Sequence, residues 1–238
     1  MKVNRLVLLL QNLIQIGLKR VGKEVTRFPI VTYLKDFEID CVLDVGANTG
    51  QYAKEIFSLG YKKRIESFEP NPAAFKVLSK NALRHANWKA HPFALGETDS
   101  TSEMKISKYS PSSSFLPLAD VEHQLDLSYV GQESVKIKRL DDVYDEVVGS
   151  AKCVFLKIDT QGFERQVLRG ASERLKDIRG IQLETSLVPQ YVGESLVEEH
   201  IAYLRERSFV PFWCMQGYKN IRTLQLYQVD FIFFRKDA

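Results

Sequence analysis

A cluster of polar residues stands out around position 160. The apolar run 153–158 is broken only by Lys157, and the chain then brings Asp159, Gln161 and Glu164 in quick succession. A continuously apolar run of this length reads as a central strand covered on both faces. In an open α/β sheet, ligands gather at the carboxyl ends of such strands. The run 178–184 ends in the same way, in Glu184, so Asp159 and Glu184 are expected to converge. Two carboxylates could hold Mg²⁺ through hard oxygen ligands, although no closely spaced third acid accompanies them. Lys157 could pair with Asp159 or Glu184, or reach outward along its aliphatic stem. Asp159 could instead cap the helix that begins near Gly162. The histidines His85, His91, His123 and His200 show no metal-ligand spacing, though His123, just after a Ser-rich stretch, could be a base carried on a lid.

A second chemical stretch lies at 41–72. An apolar strand, 41–43, runs into Asp44 and the turn Gly46-Ala47-Asn48-Thr49-Gly50. A helix with Tyr52, Ile56 and Leu59 on one face follows, and then a β-like run, 64–68, ends in Glu69 before Pro70. Strand, glycine turn, helix, strand and acid make a nucleotide-binding half-unit, with the acid placed to reach ribose hydroxyls. A dinucleotide turn wants glycine at its middle position, where backbone approaches the pyrophosphate. Asn48 stands there instead. Its side chain crowds a pyrophosphate but is tolerable beside the ribose and methionine parts of S-adenosylmethionine, which carry no phosphate. There is no P-loop sequence.

These groups need a scaffold, and the remaining sequence supplies one. At 238 residues, with 45% hydrophobic and 26% charged content, the chain has the make-up of an ordinary globular α/β domain. A formal net charge of +3 gives no footprint of nucleic-acid binding. Cys41, Cys153 and Cys214 lie far apart without metal or redox spacing; core thiols and a reducing, cytoplasmic setting fit them. We expect one domain over 1–238. Residues 1–38 form a helical accessory segment, in which 1–20 is an amphipathic helix too polar to span a bilayer but able to touch a partner or a membrane surface. Helices are expected from Asn71-Pro72 and over 140–148, 163–169 and 196–207, and strands over 88–94, 209–214 and 228–234. Residues 100–139 form an insertion: two alternating segments, 102–107 and 134–138, suggest a solvent-faced hairpin. Between them the Ser-rich region 108–131 is long enough to be a substrate lid.

The sequence resembles the FkbM-type S-adenosylmethionine-dependent methyltransferases. The resemblance rests on VLDVGANTG (42–50), FEPNP (68–72), FALGETD (93–99), LDDV (140–143), FLKIDTQGFERQVLRGA (155–171) and QLETSLVPQY (182–191). It implies a Rossmann-like class I methyltransferase fold, with a mostly parallel seven-stranded sheet whose last strand inserts antiparallel. It further implies methyl transfer to oxygen on a sugar, glycan or secondary metabolite. On that reading Gly46 and Gly50 let the turn pass close to the methionine moiety, and Asp44 fixes the turn or the ammonium group. Asn48 contacts the cofactor, Glu69 holds the ribose, and Phe93, Ala94 and Leu95 border the adenine. Asp159 would be the general base, its pKa raised by burial, with Lys157 and Glu184 beside it. The rival readings are an NAD-dependent oxidoreductase on a similar fold and a non-catalytic interaction module. Homo-oligomerisation is compatible with all three.

Overall fold

The computed structural model describes residues 30–121 and 126–236. The chain divides into two units, 1–30 and 31–238, and the sheets and cavities lie in the second. The amphipathic segment 1–20 and His123 fall outside the described residues.

The larger sheet has seven strands: β1 (Cys41–Val45), β2 (Arg64–Phe68), β3 (Trp88–His91), β7 (Val154–Ile158), β8 (Ile178–Ser186), β9 (Phe209–Gln216) and β10 (Gln228–Arg235). Their order is β3-β2-β1-β7-β8-β10-β9. The first five in that order are parallel, and β10 runs antiparallel between β8 and β9. This is the Rossmann-like α/β arrangement expected, with the last strand inserted. A second sheet, β4 (Ala94–Leu95), β5 (Ser100–Ser107) and β6 (Tyr129–Lys138), is built on the β5–β6 hairpin, with β4 parallel to β6. The expected strand over 88–94 is thus two pieces: the chain leaves the large sheet after His91, and Ala94–Leu95 joins the hairpin.

Helices α1 (Ile30–Asp36), α2 (Gln51–Ser58), α3 (Pro72–Ala82), α4 (Leu140–Val148), α5 (Glu164–Gly170) and α6 (Val197–Arg205) complete the architecture. The start of α3 shows how sequence dictates a boundary. The Asn71 side chain accepts from the N–H groups of Ala73 and Ala74, and Pro72, which has no N–H to lose, opens the first turn.

β1 and β7 are buried along their whole length, yet their two faces differ. Leu43, Val45, Leu156, Ile158, Ile181 and Leu183 point into one apolar core with Val167, Leu168 and Leu204. The opposite face carries a polar row in strand register, Ser67 beside Asp44 beside Lys157 beside Gln182. Two residues beyond Gln182, on the same face, Glu184 of β8 faces Asp230 of β10. Strand side chains alternate between faces, so Lys157, Gln182 and Glu184 reach one cavity while their neighbours stay in the core.

Candidate active site

Lys157 and Gln182 of the polar row floor a cavity of about 430 Å³ bordered by Gly46, Asn48, Tyr52, Asp159, Gln161, Glu184, Tyr191 and Asp230. A smaller slot of about 40 Å³ adjoins it, walled by Glu69, Pro70, Ala94, Leu95, Met104, Phe115 and Phe163. Gly46, Asn48, Asp159 and Gln161 border both, and so does Pro111 of the Ser-rich region.

At the slot, Glu69 accepts from the backbone N–H of Asn48 at 2.7 Å and of Asn71 at 2.8 Å. Burial pushes its carboxyl up to about 7 even against these two donors. Asn48 adopts left-handed backbone (φ 47°), which aims its N–H at Glu69, and its side-chain amide donates to the Ser110 hydroxyl at 3.1 Å. Gly46 is required by crowding: at φ +76°, a Cβ there would lie 1.8 Å from the Asp159 carbonyl oxygen. Gly50 faces elsewhere, toward the Trp88 ring and Leu78, so its lack of a side chain serves packing at the start of α2. Ala94 and Leu95 border the slot, whereas Phe93 lies against Phe68 and under the Lys138 ammonium. Asp44 is fully buried beneath the floor, accepting from the Ser67 hydroxyl and facing Lys157 at 3.5 Å.

At the floor, Lys157 takes one of its expected partners and adds another: its ammonium lies 3.2 Å from Asp159 and 3.5 Å from Asp44, not against Glu184. Burial opposes the Lys157 charge, but the two carboxylates outweigh it and its pKa is raised. Asp159 departs from expectation. Burial pushes its carboxyl up, but Lys157 and Gln161 outweigh burial and hold it below the usual range. Glu184 is the acid with the strongly raised pKa, through burial and then the charges of Asp159 and Asp230. Gln161 joins the pair. Its Nε2 donates to Asp159 Oδ1 at 2.9 Å and to Glu184 Oε2 at 2.8 Å, while Tyr191 donates to its Oε1 at 2.8 Å and so fixes the amide's orientation. The place a cation would take between the acids is thereby occupied by an amide nitrogen. Glu164 holds the loop in shape, accepting from the N–H groups of Thr160 and Gly162. No side chain caps the start of α5, so the helix cap considered for Asp159 is not made.

The Ser-rich region lies over both compartments. Ser110–Ser112 forms a 3-10 turn, and the Ser114 hydroxyl donates to the Gln161 carbonyl at 2.6 Å. Sequence reasoning did not single out Gln182 or Asp230. The signal was available, since Asp230 interrupts the apolar run 229–234 as Lys157 interrupts 153–158.

Residues 44–211 match the model of the methyltransferase FkbM domain. The chain belongs to the FkbM methyltransferase family. Among its relatives, the hexuronic acid methyltransferase AglP of Haloferax volcanii is 30% identical over 176 residues, covering 71% of this chain and 66% of that one. Methyltransferase 1 of Beauveria bassiana is 28% identical over 150 residues, covering 58% and 60%. The 2-O-methyltransferase NoeI of Sinorhizobium fredii is 26% identical over 161 residues, covering 64% and 66%. The chain therefore spans less than two thirds of each relative's length. The crystal structure of an FkbM methyltransferase from Methylobacillus flagellatus superposes with a TM-score of 0.52 at 14% identity, over 82% of this chain and 44% of that one. That likeness is one of fold. FkbM membership leaves the oxidoreductase and interaction-module readings without support. The family match stops before β10, so it is silent on Gln228 and Asp230.

Proposed function

We propose that this FkbM protein transfers a methyl group from S-adenosylmethionine to a hydroxyl of a small polyhydroxylated, sugar-type acceptor. The observation that carries the reading is the joined acid pair, Asp159–Gln161–Glu184, set between the Glu69 slot and a polar cavity of about 430 Å³. The slot's residues fit an adenosine in kind: a carboxylate for the ribose hydroxyls, and apolar walls of Leu95, Met104, Phe115 and Phe163 for the ring. When bound, S-adenosylmethionine supplies a methyl carbon on a cationic sulfonium, open to in-line displacement. The chain then has two tasks, to hold the acceptor oxygen in line and to take its proton. Asp159, kept ionised by Lys157, receives the proton as the new O–C bond forms. Asp159 becomes neutral as it does so, and the Gln161 amide keeps it linked to Glu184. No divalent ion enters this reading: Lys157 and Gln161 engage both Asp159 oxygens, and Gln161 also takes Glu184 Oε2. Among the described residues no group of three His, Cys, Asp or Glu side chains could do so.

Two relatives carry sugar-type or 2-O specificity in their names, which supports an oxygen acceptor. The test is Asp159→Asn. We expect unchanged affinity for S-adenosylhomocysteine and methyl transfer to a panel of free sugars slowed by roughly 10²–10⁴-fold, the range for losing a general base. A variant that turns over at near the parent rate would refute the assignment.

A further inference from the structure

The wall of the cavity farthest from Glu69 is built from β8 and β10, and its hydrogen-bonding capacity is lopsided. Its amine and amide donors are each engaged by an acceptor, and the donor on the cavity left without one is the buried Tyr52 hydroxyl. Gln182 Nε2 donates to Asp230 at 3.2 Å, Gln228 Nε2 to Glu184 at 3.3 Å, and Lys157 is engaged by Asp44 and Asp159. Its acceptors are not all engaged. Gln182, 5% exposed, lines the cavity with its Oε1 buried and without a partner. The bonds that Glu184 accepts from Gln161 and Gln228 both fall on Oε2, and Asp230 accepts one bond, on Oδ1. Asp230 stands directly across from Glu184 in the β8–β10 register.

Leaving an acceptor buried and unpaired is costly, and the half-buried carboxylates of Glu184 and Asp230 repel each other. What relieves both is a compact cation rich in N–H. A hydroxyl brings one donor and adds acceptor lone pairs, whereas a carboxylate brings acceptors alone, with the wrong charge. An ammonium brings three donors and a positive charge.

We propose that Gln182, Glu184 and Asp230 form an ammonium-recognition subsite, so that the acceptor is an amine-bearing polyhydroxylated compound of the amino-sugar kind. This rests on the methyltransferase reading above and narrows its substrate class. The amine is a handle and not the nucleophile, since an ammonium donating to these acceptors keeps no lone pair to attack the methyl group. The same wall disfavours a uronate, so the substrate differs from the one that the Haloferax relative's name records.

The test uses the full chain saturated with S-adenosylhomocysteine, which removes the donor's own ammonium group as an explanation. D-glucosamine, D-glucose and D-glucuronate are titrated in turn by calorimetry. Glucosamine should bind roughly 10- to 100-fold more tightly than glucose, the scale of one hydrogen bond to a charged group, and glucuronate most weakly. In Asp230→Asn the preference for glucosamine over glucose should shrink to a fewfold, with S-adenosylhomocysteine affinity and the unfolding transition unchanged. The proposal is overturned if glucose and glucosamine bind alike, if glucuronate binds best, if none of the three binds, or if Asp230→Asn keeps the full preference. Failure of S-adenosylhomocysteine to bind would sink the methyl-donor reading instead, and the sugar titrations on the protein alone would still decide the subsite.

Discussion

Replacing Lys157 by Met keeps most of the side chain's volume and removes its charge, so it measures what the ammonium does under the cavity floor. The Lys157 side chain is 7% exposed, with Asp44, fully buried, 3.5 Å away and Asp159, 35% exposed, 3.2 Å away. At an effective dielectric of about 20, each contact is nominally worth about 5 kcal/mol of attraction. Solvent at Asp159 reduces its share to about 1 kcal/mol or less, which leaves Asp44 as the group stranded by the substitution. Breaking a buried pair costs about 3–5 kcal/mol, and the stranded acid limits that cost by taking up a proton. Without Lys157 the folded-state pKa values of Asp44 and Asp159 both rise. For a raised carboxyl, stability is fully present below its unfolded pKa and is lost as pH climbs through the folded one. Urea unfolding followed by circular dichroism should therefore show Lys157→Met losing about 4 kcal/mol at pH 8 and roughly half of that at pH 5. The acid limb of the pH–rate profile should also move upward. Equal losses at the two pH values would refute the argument and leave Lys157 as a packing residue over the Tyr52 ring, 5.5 Å away.

Three further outcomes are expected. Glu164 has a pKa raised by burial from 4.5 to about 7, so its contribution to stability is intact below about pH 4.5 and lost as pH rises through 7. Glu164→Gln should stabilise the protein by roughly 1–3 kcal/mol at pH 8 and leave it near parity at pH 5; the comparison is made between variant and parent at each pH, because Glu69 titrates in the same sense and His200, lowered to about 4, in the opposite one. Gly46→Ala should cost roughly 3–5 kcal/mol through the clash with the Asp159 carbonyl and the left-handed backbone. Gly60→Ala, at φ +95° with nothing within 4 Å, should cost about 1–2 kcal/mol, and similar losses in the two would refute the close-approach argument. Glu69→Ala should weaken S-adenosylhomocysteine binding by about 1.5–3 kcal/mol in a calorimetric titration; unchanged affinity would remove Glu69 from the donor site.

The parts of this molecule legible in the sequence are those set by periodicity and by residues that contradict it. The apolar runs of β1 and β7 gave the sheet centre, and Lys157 stood out because it broke one of them. The β5–β6 hairpin followed from alternation. What stayed hidden depends on groups distant in sequence. That Gln161 links its neighbour Asp159 to Glu184, 23 positions beyond Gln161, requires β7 and β8 to be adjacent and Tyr191 to turn the amide. The depressed pKa of Asp159 could not be read from burial alone, because its sign depends on where Lys157 points. Gly50 illustrates a different limit. Its place in the motif suggested closeness to a ligand, but the neighbour that excludes a side chain is Trp88, 38 positions away on β3.

The turn at Ser110–Ser112 has a kinetic consequence. Pro111 walls both compartments, and Ser110 is tethered to Asn48 at the mouth of the slot, which in this state holds only about 40 Å³. On the proposed reading an adenosine needs more room than this slot offers, so the turn would have to lift, and lifting it would remove one wall of the larger chamber. An acceptor lodged there first would press the turn down and shut the donor out. That reading predicts a compulsory order of addition, donor before acceptor. Its signature is competitive product inhibition by S-adenosylhomocysteine against the donor and noncompetitive inhibition against the acceptor; a random-order pattern would show that the turn is no gate.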